Sequence, residues 1–404
     1  MTARQQGDSV VNQQIGGASG LAAWNELPTF PEPLHVGRPN IGDRATFRKL
    51  VDEMFDRGWL SNDGPLVQEF ERRIAAYVGV RNCVAMNNGT IALEIAIRAL
   101  GLSGEVIVPS YTFVATAHAL YWQGITPVFA DIDPETHNLD PVSVRRMITP
   151  RTTGIIGVHL WGRGAPVDEL QAIADENGLR LMFDAAHAFG CSWRGKMVGG
   201  FGGAEVFSFH ATKFFNTFEG GALTTNDDEL AEAARLMRNF GFAGADNVIH
   251  PGTNGKMVEI CAAMGLTNLA GIDAVIEVNR RNYYAYREAL GGLPGVSVIK
   301  YDESERNNFQ YITVEVSDQC ALTRDDLVAG LNSKNVLARK YFWPGCHRMQ
   351  PYRELFPHAG LMLPSTEDVA KRVIVLPNGT AVDDSSIARI ADMFRSLLGA
   401  GDAS

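Results

Sequence analysis

Lys213 stands in the stretch FSFHATKFFNTFEGG (207–221), between a run that reads as a buried strand and a pair of glycines. A lysine beside Phe214 and Phe215 is either a surface charge whose alkyl stem lies on apolar neighbours or an amine kept dry for nucleophilic chemistry. Asp184 ends the apolar run LMFD, and His187 follows it in LMFDAAHAFG. The stretch AMNNGTIALEIAIRAL reads as a strand, an Asn-Gly turn and a helix. That order leaves the N–H groups of Gly89 and Thr90 at a helix start, where they can cradle a phosphate. Phe113, in VPSYTFVATAHAL, sits at another strand-to-helix junction, and Ser208 shares the strand that leads to the lysine.

One cofactor asks for all of these. Pyridoxal 5′-phosphate (PLP) needs a lysine for its aldehyde, a carboxylate at its pyridine nitrogen, a phosphate cup and a stacking ring. Lys213, Asp184, the Gly89–Thr90 turn with Ser208, and Phe113 match those needs in turn, and His187 suits the ring's phenolic oxygen. Each residue alone has a plainer reading. Asp184 could be a turn residue, NNGT an ordinary helix cap, Phe113 a core ring and His187 a structural histidine. Five such features in this order are much harder to explain as accidents.

The elements that must position these residues alternate along the chain. Apolar runs at 83–87, 105–109, 127–131, 154–160, 180–184, 205–209 and 222–225 read as strands. Helical periodicity falls at 65–78, 90–100, 112–122, 140–148, 166–177 and 227–239. Buried strands with helical crossovers predict an α/β domain with a mainly parallel, seven-stranded sheet. In such sheets ligands bind beyond the carboxyl ends of the strands, where Asp184 falls. The separation of Asp184 and Lys213 suits one strand–crossover–strand unit. A long helical stretch follows from about 257, bent at its glycines. GLPGV then breaks the chain, and VSVIKY, FQYITVEV and VLARKYF alternate with helices near 323–332, 366–372 and 383–398. The predicted division is an N-terminal tail and extended arm (1–45), a large α/β domain (46–290) and a small α+β domain (291–404).

Composition narrows the class of partner. The 404 residues carry a net charge of −10 and no Lys/Arg-rich tract, which argues against nucleic acid. The five cysteines, at 83, 191, 261, 320 and 346, show no CxxC spacing, which argues against a zinc site or disulfide framework. No apolar run is long enough for a membrane span, and the polar N-terminus lacks a signal core. A soluble, cytoplasmic setting is expected.

With these motifs in view, the chain resembles the DegT/DnrJ/StrS sugar aminotransferases, PLP enzymes of fold type I (aspartate-aminotransferase-like). The resemblance rests on GWLSNDGPLVQEFE, NNGTIAL, VPSYTFVATAHA, GVHLWGR, FDAAHAFG, FSFHATKFFNTFEGG, GTNGKMVEICAAMGL and LPNGTAV, spread over about 35–380. It implies that Lys213 is the Schiff-base lysine and Asp184 the partner of the pyridine nitrogen. It implies that Gly89, Thr90 and Ser208 hold the phosphate, Phe113 stacks on the ring, and His187 stands where many members have glutamine. It implies that Asn254 reaches the phosphate in a neighbouring subunit's site, hence a homodimer with shared sites. Retention of lysine, where some members carry histidine, favours transamination over dehydration. L-Glutamate is the implied donor, pyridoxamine 5′-phosphate the cofactor's alternate form, and a nucleotide-linked keto sugar the acceptor. HATKFF points to dTDP-4-keto-6-deoxy-D-glucose, giving dTDP-4-amino-4,6-dideoxy-D-glucose. A 3-keto sugar nucleotide, a keto-inositol, or a PLP-binding regulatory protein without turnover are the alternatives.

The acceptor's diphosphate calls for local cations despite the acidic total. Arg163, Lys256, Arg339 and Lys340 are candidates, and Tyr341, in ARKYFWPGCH (338–347), is a candidate for the sugar or base pocket.

Overall fold

The computed structural model describes residues 24–399. Residues 1–23 of the predicted tail and arm lie outside the described residues. Seven strands form the central sheet: β1 (Asn82–Met86), β2 (Glu105–Pro109), β3 (Thr126–Ala130), β4 (Thr152–Val158), β5 (Arg180–Asp184), β6 (Ala204–Ser208) and β7 (Gly221–Thr225). Their spatial order is β1-β7-β6-β5-β4-β2-β3. β7 runs antiparallel to both neighbours, and the pairs from β6 to β3 are parallel. The mainly parallel α/β sheet expected from the apolar runs is therefore present, each strand within a few residues of its expected place. These strands are buried on both faces, which is why they read as continuous apolar runs rather than alternating ones.

Helix α1 (Pro65–Val78) buries Val67, Phe70 and Ile74 along one face. Its N-terminus is capped from far away. Pro65 has no N–H, and Gly64 has no side chain to cap with. The Leu66 and Val67 N–H groups both donate to the buried Glu259 carboxylate, at 3.0 and 2.8 Å. Helices α2 (Gly89–Ala99) and α3 (Ala115–Tyr121) follow β1 and β2. Further on, α4 (Glu259–Ala270) and α5 (Ile272–Ala289) meet at Gly271 with a bend of 62°. No single helix among the described residues is long and apolar enough to cross a membrane.

A second core gathers around a three-stranded antiparallel sheet of β8 (Val296–Val298), β9 (Ile312–Val316) and β10 (Val373–Leu376). Tyr283 and Tyr286 of α5 pack into it, as do Trp24, Phe30 and Leu34 from the N-terminal arm. Strand pairing expected across VLARKYF is limited to Val336–Leu337, which pairs with Leu34–His35 of the arm, and to Arg339, which exchanges two backbone hydrogen bonds with Val375 of β10. Tyr341 and Phe342 beyond it form a wall of the cavity described next. β10 itself directly follows the helix Pro364–Arg372, where the sequence reading had only the helix.

Candidate active site

A cavity of about 500 Å³ opens at the carboxyl ends of the parallel strands. Its floor and one end come from the large sheet: Asp184 at the end of β5, Ser208 at the end of β6, and the start of α2. Its opposite wall comes from Tyr311, Tyr341 and Phe342.

Lys213 reaches into this cavity from the loop between β6 and β7. Its Nζ donates to the Tyr311 hydroxyl at 3.2 Å. Desolvation by the surrounding protein pulls its pKa down to about 8, against the pull of the Asp184 charge. Asp184 shows the mirror effect. Burial raises its pKa, while the Ala186 N–H (3.0 Å), the Thr116 hydroxyl (2.8 Å) and the Lys213 charge oppose the rise. His187 is buried between Trp161 and Tyr311, and burial holds it well below the usual histidine range. Its Nδ1 accepts the Trp161 backbone N–H at 3.3 Å. The neutral ring therefore carries its proton on Nε2.

The other end of the cavity is shaped by close backbone approach. Asn88 caps α2 by accepting the Ile91 N–H at 2.8 Å. The N–H groups of Gly89 and Thr90 have no hydrogen-bond partner among the described residues, and neither has the Ser208 hydroxyl. A Cβ on Gly89 would stand 3.0 Å from the Ser208 Cβ, and one on Gly221 would stand 2.5 Å from the Asn88 carbonyl carbon. Only glycine at both positions leaves this concavity open. Phe113 lies at the mouth, 59% exposed, with its ring free.

Residues 42–395 match the model of the DegT/DnrJ/EryC1/StrS aminotransferase family. The chain belongs to that family. It is 36% identical to a dTDP-4-amino-4,6-dideoxy-D-glucose transaminase of Escherichia coli, over 90% of this chain and 98% of the other. It is 38% identical to a GDP-perosamine synthase of Caulobacter vibrioides, over 76% and 84%. Among solved structures it resembles DesI, determined with its TDP-sugar product, at 51% identity and a TM-score of 0.89 over 95% of this chain and 98% of that one. The protein is thus an aminotransferase of the DegT/DnrJ/EryC1/StrS family, with the fold that its motifs led us to expect.

The residues singled out in this family's motifs divide by position. Gly89, Thr90, Phe113, Asp184, His187, Ser208, Lys213 and Tyr341 all line the one cavity. Asn254 and Lys256 do not. Their segment runs beside the end of β1, where the Asn87 N–H donates to the Gly255 carbonyl at 2.9 Å. The Lys256 ammonium is turned aside to the Asn239 carboxamide (3.0 Å) and the Phe240 ring (4.7 Å). Arg339 lies over the Tyr341 ring at 5.0 Å and lines two neighbouring hollows of about 300 and 430 Å³. Arg163 is spent on the Glu135 and Thr136 carbonyls, and Lys340 pairs with Asp325 at 3.1 Å. His210 also faces the cavity, with Nδ1 2.8 Å from the Thr212 hydroxyl and Nε2 3.4 Å from Glu219.

Sequence reasoning missed Tyr311 and Thr116, which touch Lys213 and Asp184. Thr116 lies two residues beyond the strand-to-helix junction that drew attention to Phe113, so its nearness was readable. Tyr311 sits in FQYITVEV, where it looks like any strand aromatic.

Proposed function

We propose that this protein is a PLP-dependent sugar-nucleotide aminotransferase. It would move an amino group from L-glutamate to dTDP-4-keto-6-deoxy-D-glucose, giving dTDP-4-amino-4,6-dideoxy-D-glucose. The observation that carries the reading is a single cavity holding a lysine whose pKa is pulled down to about 8, a buried carboxylate and a glycine-lined helix N-terminus. The residues fit PLP. The bare N–H groups and hydroxyl of the cup suit the acceptor oxygens of a phosphate, and the buried Asp184 suits a protonated ring nitrogen. The likeness to DesI and to the Escherichia coli transaminase supports the choice of acceptor.

PLP supplies the aldehyde that takes up amines and the ring that accepts electrons from the substrate carbon. The rest falls to the chain. Lys213 would hold the cofactor through its aldehyde and, once freed by the donor's amine, would take the donor's α-proton as base and return it as acid. Asp184 would keep a proton on the pyridine nitrogen. Its bonds to Thr116 and Ala186 hold the carboxylate in place. His187 would donate Nε2–H to the phenolic oxygen, and Phe113 would cover a ring face. For the keto sugar Lys213 would move the proton the opposite way.

Tyr341 and Arg339 border the path to the cavity and suit the nucleotide end of the acceptor. Asn254 would act across a homodimer, in the neighbouring subunit's phosphate cup. Exposed Leu60, Val258 and Ile260, gathered where the Glu259 N–H donates to the Leu60 carbonyl, offer an apolar face for that second copy. The test is a panel of acceptors with L-glutamate and PLP, read by mass spectrometry. The panel holds dTDP- and GDP-linked 4-keto-6-deoxy sugars, a 3-keto sugar nucleotide and a keto-inositol. Amination of the dTDP-4-keto sugar with matching 2-oxoglutarate is the expected result. Its absence, with another acceptor consumed, would move the assignment to that acceptor.

A further inference from the structure

The loop that carries Lys213 is held from outside by the N-terminal arm, and the contacts converge on one side chain. Asn40 is buried. Its Nδ2 donates to the Phe214 carbonyl at 2.9 Å, one residue beyond the lysine. Its backbone carbonyl accepts from the Asn216 carboxamide at 2.9 Å. Its Oδ1 accepts from the Thr380 hydroxyl at 2.8 Å, in the loop after β10. Asn268 of α4 reinforces the arrangement, donating to the Asn216 carbonyl and accepting the Gly42 N–H, both at 2.8 Å. On the other side of the lysine the arm touches Thr212. A Cβ on Gly37 would stand 2.7 Å from the Thr212 Cβ and 2.8 Å from its carbonyl oxygen.

Arm contacts thus bracket Lys213 at residues 212, 214 and 216. Within the loop, the Lys213 N–H donates to the His210 carbonyl at 2.8 Å, and the loop's ends are closed by Phe209 N–H to Gly220 O and Thr217 N–H to Phe209 O. The Phe214 carbonyl, next to the lysine, takes its partner from outside the loop, and that partner is Asn40. The arm is in turn fixed to the small domain, where Leu34 pairs with Val336 and the Arg389 guanidinium donates to the Pro28 carbonyl at 3.1 Å.

We propose that Asn40 is a positioning residue for Lys213. Through its bond to the Phe214 carbonyl it fixes where the lysine amine stands relative to Asp184 and Tyr311. The proposal rests on the PLP reading of Lys213. A side chain that touches only backbone carbonyls and a threonine has no part in the chemistry of its own. It acts because an amine displaced by a fraction of an ångström meets its partners poorly.

The test uses the PLP-loaded full chain and separates the bonds. Asn40→Asp removes the donor to Phe214 while keeping an acceptor for Thr380, and Asn40→Ala removes both. Thr380→Val and Arg389→Ala loosen the arm and leave the Asn40–Phe214 bond in place. The first readout is the pH midpoint of the visible absorbance of PLP joined to Lys213. The second is the division of any loss between kcat and KM for the keto sugar.

For Asn40→Asp and Asn40→Ala the absorbance midpoint should move. kcat should fall about tenfold, the equivalent of about 1.36 kcal/mol, with KM within about twofold. Thr380→Val and Arg389→Ala should lose thermal stability while keeping the wild-type midpoint. An unmoved midpoint in Asn40→Asp would overturn the proposal. So would equal midpoint shifts in all four variants, which would make Asn40 a general stabiliser of the arm. If Asn40→Ala fails to fold, Asn40→Asp against Thr380→Val still decides. A wild-type protein that never acquires the visible absorbance would fail the PLP reading instead, and the two failures are distinct.

Discussion

Replacing Asp184 by asparagine should make Lys213 a better nucleophile in the PLP-free protein, even as transamination is lost. Two influences set the lysine's state. Desolvation pulls its pKa down and the Asp184 charge pulls it up, with a net fall from 10.5 to about 8. At pH 7 a pKa of about 8 leaves roughly a tenth of the amines neutral, about 300 times the neutral fraction of a free lysine. Asparagine keeps the shape of the site and removes the upward pull. A nearby opposite charge commonly moves a pKa by about one unit or more. The midpoint should therefore drop toward about 7, and the neutral fraction at pH 7 should rise about fivefold. The sign is fixed by the chemistry: only the deprotonated amine reacts, so labelling rises with pH through the midpoint. The Lys213 side chain reaches the cavity surface, so small reagents can meet it. Pulse labelling with a small amine-reactive reagent across pH 6 to 11, quantified at the Lys213 peptide by mass spectrometry, would measure both midpoints (a range set to bracket roughly both values). A wild-type midpoint near that of free lysine would refute the desolvation argument. A midpoint that rises in Asp184→Asn would refute the pairing of the two groups.

Three further outcomes follow from the geometry. Gly89→Ala should place its Cβ against Ser208 and narrow the cup, weakening PLP binding about tenfold or more in an absorbance titration with little change in melting temperature. Tyr311→Phe removes the acceptor of the Lys213 ammonium. It should lower the lysine's labelling midpoint by about half a unit or more, since a hydrogen bond to a charged group contributes about 1.5–3 kcal/mol before relaxation. Glu259→Gln should cost about 2–3 kcal/mol, because one of the two N–H groups it caps then faces an amide donor and the helix end loses its charge. In a chain of this length that is about 3 °C in melting temperature by scanning calorimetry.

The legible part of this protein was what a local pattern can encode. Strands β1 to β7 announced themselves because both faces are buried, so their residues are apolar without interruption. Lys213, Asp184 and the Gly89 turn stood out because lysine, aspartate and glycine are poor companions for buried strand ends unless something there needs them. β10 was overlooked because Val373–Leu376 directly continues a helix with no turn residue between them. VLARKYF was over-read because only Val336–Leu337 and Arg339 pair with neighbouring strands, while Tyr341 and Phe342 face the cavity. Lys256 looked available until its neighbours were known: Asn239 and Phe240 occupy its ammonium. Tyr311, Asn40 and Glu259 were out of reach for one shared reason. Each meets its partner across a long stretch of chain, and nothing near them in sequence marks that meeting.

The cavity's two walls have a consequence for how such a protein can change. The cup, Asp184 and Lys213 hang on the large sheet, where Gly221 pairs with both Ser208 and Met86, so a single hairpin and its neighbour set the spacing of cup and lysine. The facing wall at Tyr341 and Phe342 is joined to that side: Phe342 stacks on Trp161 and His187, and the Tyr111 hydroxyl donates to the Tyr341 carbonyl at 2.7 Å. Substitutions at 341 and 342 therefore reach His187 as well as what is admitted. The two walls change together, so exchanging acceptor preference calls for moving the 338–344 segment along with the rings it stacks on.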